Sequence, residues 1–470
     1  MSAGTSLSST SLTVPVHYQV TISEDQCFAY LTVKDDFSPQ GQPLSEAHLR
    51  KALRHAGVVL GIDEQALQKV LQQGFAAQLL IARGIAPLKG ADAYFESLVA
   101  SRQEKYHQIC AEFKQMSHIS AADFRPLLVR PRLPVLQKHL ATRGAPGIAV
   151  TGELLPGLWG DDCEPPAMEN LVPSPEDKQI WLSACKGICL FDLPHFIEVR
   201  PFLLLERDLN ESLSFDGIVV VLGHIFDHVR LRATDDIFVT EAVDAAVLIS
   251  KGNIFLQQGV KGKHMAVIRA AGNVQLTFAE HATLEVGAEL QADSLFLCHT
   301  YTLGNCFVGA IQGGETFSAQ HIIADKVGSR GISTELYAGF ADYLDSEILH
   351  VAQDCEALEQ RLAEIHGFLG NPQFLVDPRK QVMRQHYYYQ RPCLSYVLQK
   401  KCHHALFLQQ LKAQQRDAFI SVSDRVEGDT HFFLLNFEHY QAKPVEGPLA
   451  YTAGHYGVVV KQSNEVNEHA

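Results

Sequence analysis

Apolar and polar side chains alternate at the start of the chain and then change period. Val14, Val16, Tyr18, Val20 and Ile22 are separated by polar or small residues, and a second run, Phe28 to Val33, follows a polar turn, so this stretch predicts a β-hairpin. Ser45 is placed to cap a helix that carries Leu49, Ala52, Leu53 and Ala56 and stops at Gly57. Asp63 is placed to cap another, carrying Leu67, Val70 and Leu71 and stopping at Gly74. A longer polar helix is predicted between about Glu96 and Met116, after which Pro126, Pro131 and Pro134 favour extended chain. Residues 1–143 therefore read as an N-terminal α/β domain, and 144–213 as a junction into a different kind of structure.

From Ser214 onward a degenerate repeat begins, in which a small or polar residue is followed four positions later by an aliphatic one that opens a short strand. The copies are Ser214 to Ile218, Ala233 to Ile237, Ser250 to Ile254, Ala270 to Val274, Gln291 to Leu295 and Ser318 to Ile322, with steps of 19, 17, 20, 21 and 27 residues. Second strands such as Val229–Leu231, Val247–Ile249 and Val267–Ile268 fall between them, so each unit fits one turn of a β-solenoid, the final coil being stretched. Glycines with Asn253 and Asn273 are expected at corners needing φ > 0, with Asp236, Ser294 and His321 at the matching places in other copies. A six-residue period is absent, which favours a right-handed coil with longer turns over a left-handed one; an antiparallel sandwich is the alternative. The solenoid is assigned to 214–339.

After Gly339 the period turns helical. Leu344, Ile348, Val351, Cys355, Leu358, Leu362, Ile365 and Leu369 follow one another at steps of 4 and 3, a heptad seam that Gly370, Asn371 and Pro372 end. A second helix around Leu394, Val397, Leu398, Ala405, Leu408 and Leu411 would fold back as an antiparallel coiled-coil-like hairpin over 340–416, with Pro392 breaking or starting its arm. Strands return over 417–470, including Phe432 to Leu435 and Tyr456 to Val460, to complete or cap the solenoid. The whole is a mixed α and β chain.

Composition narrows the function classes. The 470 residues carry 39 basic and 53 acidic side chains, a formal charge of -14 that opposes attraction to nucleic acid or anionic lipid. Met1 to Ser11 is Ser/Thr-rich without a basic and apolar leader, and no later segment offers a long uninterrupted apolar run, so a cytoplasmic protein without membrane insertion is expected. The 10 cysteines are scattered, which reads as reduced thiols.

Three groups of residues resemble a known family. Gly57–Val58–Val59–Leu60–Gly61–Ile62 before the Asp63 helix, and Ala82–Arg83–Gly84–Ile85–Ala86–Pro87 with Gly90, read as helix stop, buried strand and next cap. The segment from Gly144 to Pro156, GAPGIAVTGELLP, is the most specific, and Gly252–Asn253–Ile254 and Gly272–Asn273–Val274 are the third group. Together they resemble the flagellar assembly protein A (FapA) family, in which they form N-terminal signals, the junction into a β-solenoid, and coil corners. The resemblance implies a cytoplasmic bacterial protein that helps build or place flagella, recruited to the cell pole or flagellar base, and it supplies no catalytic site.

Candidate chemistry is sparse. Gly259–Val260–Lys261–Gly262–Lys263–His264 lacks P-loop spacing, Gly328–Ser329–Arg330–Gly331 lacks that of a nucleophile elbow, and Cys402, His403 and His404 fall on different helix faces, so no catalytic, cofactor or metal residue is assigned. Cys185 and Cys189 read as core or corner thiols, and Arg125, Arg130, Arg132, Lys138 and Arg143 as linker charge. Candidate partner-binding residues are the seam positions Leu344, Ile348, Val351, Leu358, Leu362 and Ile365, and an acidic loop with Trp159, Asp161, Asp162 and Glu164. The expected function is a non-enzymatic scaffold that meets a cytosolic regulatory or flagellar-placement protein, or a second copy of itself. The alternatives are a β-helix enzyme acting on a polysaccharide or other small substrate and a self-assembling, cytoskeleton-like protein.

Overall fold

The alternating run at the N-terminus does form a hairpin. In the computed structural model, which describes residues 18–33, 45–340, 344–371, 378–455 and 457–462, β1 (Tyr18–Ile22) pairs antiparallel with β2 (Phe28–Val33). Val14 and Val16 lie outside the described residues. A third strand, β3 (Ala76–Arg83), pairs with β2 and was not apparent from the pattern, because bulges interrupt its alternation. Two helices cover this sheet: α1 (Glu46–His55), capped by Ser45, and α2 (Glu64–Gln73), whose amides at Gln65 and Ala66 bond to the Asp63 carboxylate. Leu31, Leu49, Leu53, Leu67, Val70 and Ile81 close the core. Between the helices the expected buried strand reduces to one bridge, Ile62 to Ala82, with Val58 buried and Val59 exposed.

The chain divides into two compact units, residues 1–94 with 138–164 and residues 95–137 with 165–470. The second contains α3 (Ala100–Glu112), shorter than the expected Glu96 to Met116, the short helix α4 (Ala121–Phe124) and the solenoid. The coils stack three columns of inward side chains. One runs Val219, Ile237, Ile254, Val274, Leu290, Cys306, Ile322 and Ile420. A second runs Leu213, Leu231, Leu248, Ile268, Leu284, Thr300, Thr316, Leu336 and Phe432. A third includes Val260, Ala279, Leu295, Ile311, Val327 and Val426. All the pairings are parallel, which rules out the antiparallel sandwich for these coils.

The register corrects the expected repeat at two places. Val219 rather than Ile218 points into the core; Ile218 faces the other way, into a cluster with Tyr106, Phe113, Phe124, Phe238 and Phe255 beneath α3 and α4. The apparent stretch after Val274 is three regular steps of 16 residues, through Leu290 and Cys306 to Ile322, and Leu295 belongs to the third column. Cys306 hides this coil from an aliphatic pattern, yet a buried thiol fills an inward position as a small hydrophobe does.

The corners also differ from expectation in their chemistry. Asp236, Asn253, Asn273, Glu289 and Asn305 each precede a residue of the first column and form a ladder, Glu289 standing where Ser294 was expected. The Asn253 amide and side chain donate to Asp236 Oδ1 at 2.7 and 2.9 Å, the Asn273 amide to Asn253 Oδ1 at 2.8 Å, and the Glu289 amide to Asn273 Oδ1 at 2.9 Å. Asn253 and Asn273 are absent from the left-handed residues, which lie at another corner and include His264, His281, Leu297 and Gly313. A Cβ on Gly272 would sit 2.4 Å from Asn253 Oδ1, so a larger residue there would push the Asn253 side chain out of the ladder.

The hairpin is an insertion in the solenoid, between strand Thr334–Ala338 and strand Phe419–Val426. Its helices are α5 (Leu344–Leu369) and α6 (Pro378–Gln414). Pro392 neither breaks nor starts the second arm but lies inside it; just past the proline α6 packs on the strands, with Tyr396 stacked on Phe196 at 4.5 Å and Cys393 Sγ 3.5 Å from the Met168 carbonyl. Past the hairpin, Phe419–Val426 and Thr430–Leu434 complete a further coil in parallel register. Phe437–Gln441, Leu449–Ala453 and Val458–Gln462 then close the end antiparallel. Tyr456 lies outside the described residues.

Candidate interaction surfaces

The seam residues of α5 are largely used by the hairpin itself. Leu344, Val351, Leu362 and Ile365 are buried and Ile348 and Leu358 half-buried. At the root, Leu344 and Val351 cluster with Leu408, Leu411 and Ala319 of the solenoid. Farther out, Asp354 pairs with Lys401, Cys355 meets Cys402, and the rings of Phe368 and Tyr387 contact edge to face at 5.1 Å. The lysine holds the Asp354 carboxyl below the usual carboxylate range. What the hairpin presents outward is a different set: Leu349, Val382 at 72% exposure, Met383, Tyr388, Tyr389, Val397 and Leu406. The signal for Val382 to Tyr389 was present only if the helix was allowed to run through Pro392.

On its other side α6 meets the first coils. Lys400 Nζ lies 5.0 Å from the Phe196 ring centre and 4.6 Å from that of Tyr396, and burial depresses its pKa. Nearby Arg200 pairs with Glu198 at 2.7 Å and with Asp235 at 3.1 Å. The two carboxylates satisfy Arg200 within the coil, and Lys400 and Tyr396 on the Phe196 ring tie α6 to it. His403 and His404 are exposed, and no group of three or more metal-ligating side chains occurs among the described residues.

In the first unit the acidic loop is a clasp. Lys89 Nζ bridges Asp92 at 2.8 Å and Asp161 at 2.6 Å, and Lys138 holds Asp162 at 2.6 Å. Hydrogen bonds from these lysines hold the Asp92 and Asp162 carboxyls below their ordinary range. Three extended segments, around 84–92, 142–148 and 154–161, are joined by backbone bonds such as Leu88 N–H to Ala145 O, Gly144 N–H to Leu158 O and Leu158 N–H to Leu88 O. They approach so closely that a Cβ on Gly144 would lie 1.9 Å from the Leu88 carbonyl oxygen. Trp159 is 63% exposed, and Ile85, Leu88, Leu154 and Leu158 on the same segments are exposed too. Glu164 is also exposed. Of the basic stretch, Arg143 donates to the Gly157 carbonyl within this unit, while Arg125 pairs with Glu206 in the other.

On the outer side of the strands that carry the second column, Arg269 pairs with Glu285 and His299 Nδ1 with Glu315 at 3.4 Å from coil to coil, and Tyr301, Phe317, Tyr337 and Phe433 continue the line of Arg269 and Glu285 as a ring stack. Among the described residues no helix is long and apolar enough to cross a membrane.

Comparison with known proteins agrees with this architecture. The profile of the Flagellar Assembly Protein A N-terminal region matches residues 18–193, and that of the Flagellar Assembly Protein A beta solenoid domain matches 212–427. The chain belongs to the FapA family. The N-terminal match takes in the whole glycine-laced clasp, and the solenoid match spans the hairpin insertion as well as the coils on either side of it. FapA is a family of flagellar assembly proteins rather than a known family of enzymes. No curated protein and no solved structure gives a significant match.

Proposed function

We propose that this FapA chain is a non-enzymatic cytoplasmic scaffold that recruits a regulatory or flagellar-placement protein, at the cell pole or flagellar base, through its helical hairpin. The observation that carries this reading is the division of labour in the hairpin. Its seam is consumed internally and its root is fixed to a coil, while Val382, Met383, Tyr388 and Tyr389 on α6 and Leu349 on α5 stay exposed. Exposed tyrosine and methionine on a helix suit protein recognition, and the stacked coils give the hairpin a fixed root. The acidic loop is assigned a structural part, because Asp161 and Asp162 are already paired with lysines; Trp159 beside them is a second docking candidate. Self-assembly by end-to-end stacking is disfavoured by the antiparallel strands that follow the last parallel coil.

The test is affinity capture from the native cytosol by the intact chain and by a variant in which Leu344–Gln414 is replaced with a short Gly/Ser linker, with light scattering on both. A stoichiometric partner held by the intact chain and lost by the variant is the expected result. Equal capture by both sinks the hairpin as recruiter, and recovery of a homo-oligomer alone favours self-assembly.

A further inference from the structure

One pair of side chains in the hairpin has chemistry that recruitment does not use. Cys355 on α5 and Cys402 on α6 face each other with their Sγ atoms 3.9 Å apart, and both are half-buried, within reach of a small solute. Other contacts join the same antiparallel pair of helices: Asp354 with Lys401 beside the thiols, and Phe368 with Tyr387 farther out. Among the described residues no other two cysteine sulfurs meet: Cys27, Cys189, Cys298 and Cys306 are buried, Cys110, Cys163 and Cys185 are half-buried without a facing thiol, and Cys393 turns its sulfur to the Met168 carbonyl.

We infer that Cys355 and Cys402 form a reversible oxidation site, closing to a disulfide that ties α5 to α6 when the protein meets a hydroperoxide. A disulfide needs its sulfurs about 2 Å apart. The observed separation therefore requires only a closer approach across a helix pair that already meets at this point. The chemistry balances with hydrogen peroxide as the oxidant. One thiolate attacks a peroxide oxygen, the O–O bond breaks and water leaves, giving a sulfenic acid; the second thiol displaces its hydroxyl as water and forms the S–S bond. Two electrons pass from the two sulfurs to the peroxide, and a thiol reductant returns them. Burial, reinforced by the neighbouring thiol, raises the Cys355 pKa and so lowers the share of its reactive thiolate. The inference is independent of which protein the hairpin recruits.

The test is a non-reducing peptide map of the intact chain after exposure to hydrogen peroxide and alkylation of the remaining thiols. The expected product is a cross-linked peptide pair containing Cys355 and Cys402, lighter than the sum of the free peptides by two hydrogen atoms and released by dithiothreitol. C355S and C402S should each abolish it and C393S leave it intact. Slower hydrogen exchange across α5 and α6 after oxidation would accompany it. Sulfinic or sulfonic acid at either position without the cross-link, or a cross-link to another cysteine in the wild-type chain, overturns the inference; the wild-type map decides even if a variant misfolds.

Discussion

At the scale of single residues, two positions make opposite use of a polar group. His321 closes a coil at the point where the chain returns from the hairpin: its ring stacks on Phe419 at 4.1 Å and its Nδ1 accepts the Phe419 amide at 3.3 Å. Burial lowers its pKa, only partly opposed by Asp417. The folded chain then favours neutral His321, so its contribution is present above the unfolded pKa, about 6.5, and is lost as the pH falls through the lower folded value. With the intrinsic pH dependence of amide exchange divided out, protection at Phe419 and Ile420 should fall as pH drops below that point, while His321→Asn flattens the profile; paired carboxylates such as Asp354 respond only at lower pH. Thr300 is the converse. Its side chain occupies the second inward column, fully buried, and its hydroxyl finds no partner among the described residues. Thr300→Val keeps the shape and removes the orphaned group, so it should stabilise the fold by about 1 kcal/mol, read as a higher denaturation midpoint.

At the scale of elements, the sequence is legible where one period dominates and loses detail where two demands share a residue. The capped helices α1 and α2 and the seam of α5 follow directly from spacing, because each buries one face and little else constrains it. The coil at Cys306 does not, because a thiol stands where the pattern seeks an aliphatic residue, nor does the one-residue offset at Val219, since a solenoid strand under a helix is buried on both faces and alternation vanishes; Ile218 to Val221 are all buried. The outer surface of α6 was masked for a different reason: Pro392 signals a break locally, whereas the helix runs through it and packs on the strands at Cys393 and Tyr396. The candidate site was thus legible as a hairpin but not as a particular face. Its root and its face are separable by substitution. Leu408→Ala opens a cavity among Leu344, Val351 and Leu411 and should destabilise the hairpin by roughly 2–5 kcal/mol, seen as faster hydrogen exchange in α5 and α6. Val382→Ala, at an exposed site, should leave exchange unchanged to within about 0.5 kcal/mol.

At the scale of the whole molecule, the solenoid has to tolerate a long insertion without losing a coil. Two features make that feasible. The hairpin folds back on itself, so its ends leave and return together: a Cβ on Gly339 would lie 2.8 Å from the Gln415 carbonyl oxygen. The coil therefore closes as though by a short loop, and the closure entropy of an open insertion of that length is avoided. The coils on either side are also joined directly, Ile322 pairing with Ile420 and Leu336 with Phe432, so the stack does not depend on the helices for its continuity. Nearest-neighbour stacking makes such a chain stable in proportion to its unbroken interfaces. Replacing Leu344–Gln414 with a short Gly/Ser linker should then leave the β-sheet circular dichroism and cooperative unfolding of the solenoid in place. The expected loss is a few degrees in melting temperature, because Ala319 and Leu303 lose the cover that the hairpin root provides. Loss of cooperative unfolding in that variant would mean that the helices brace the coils, and the hairpin could no longer be treated as an appendage carried by an independently stable stack.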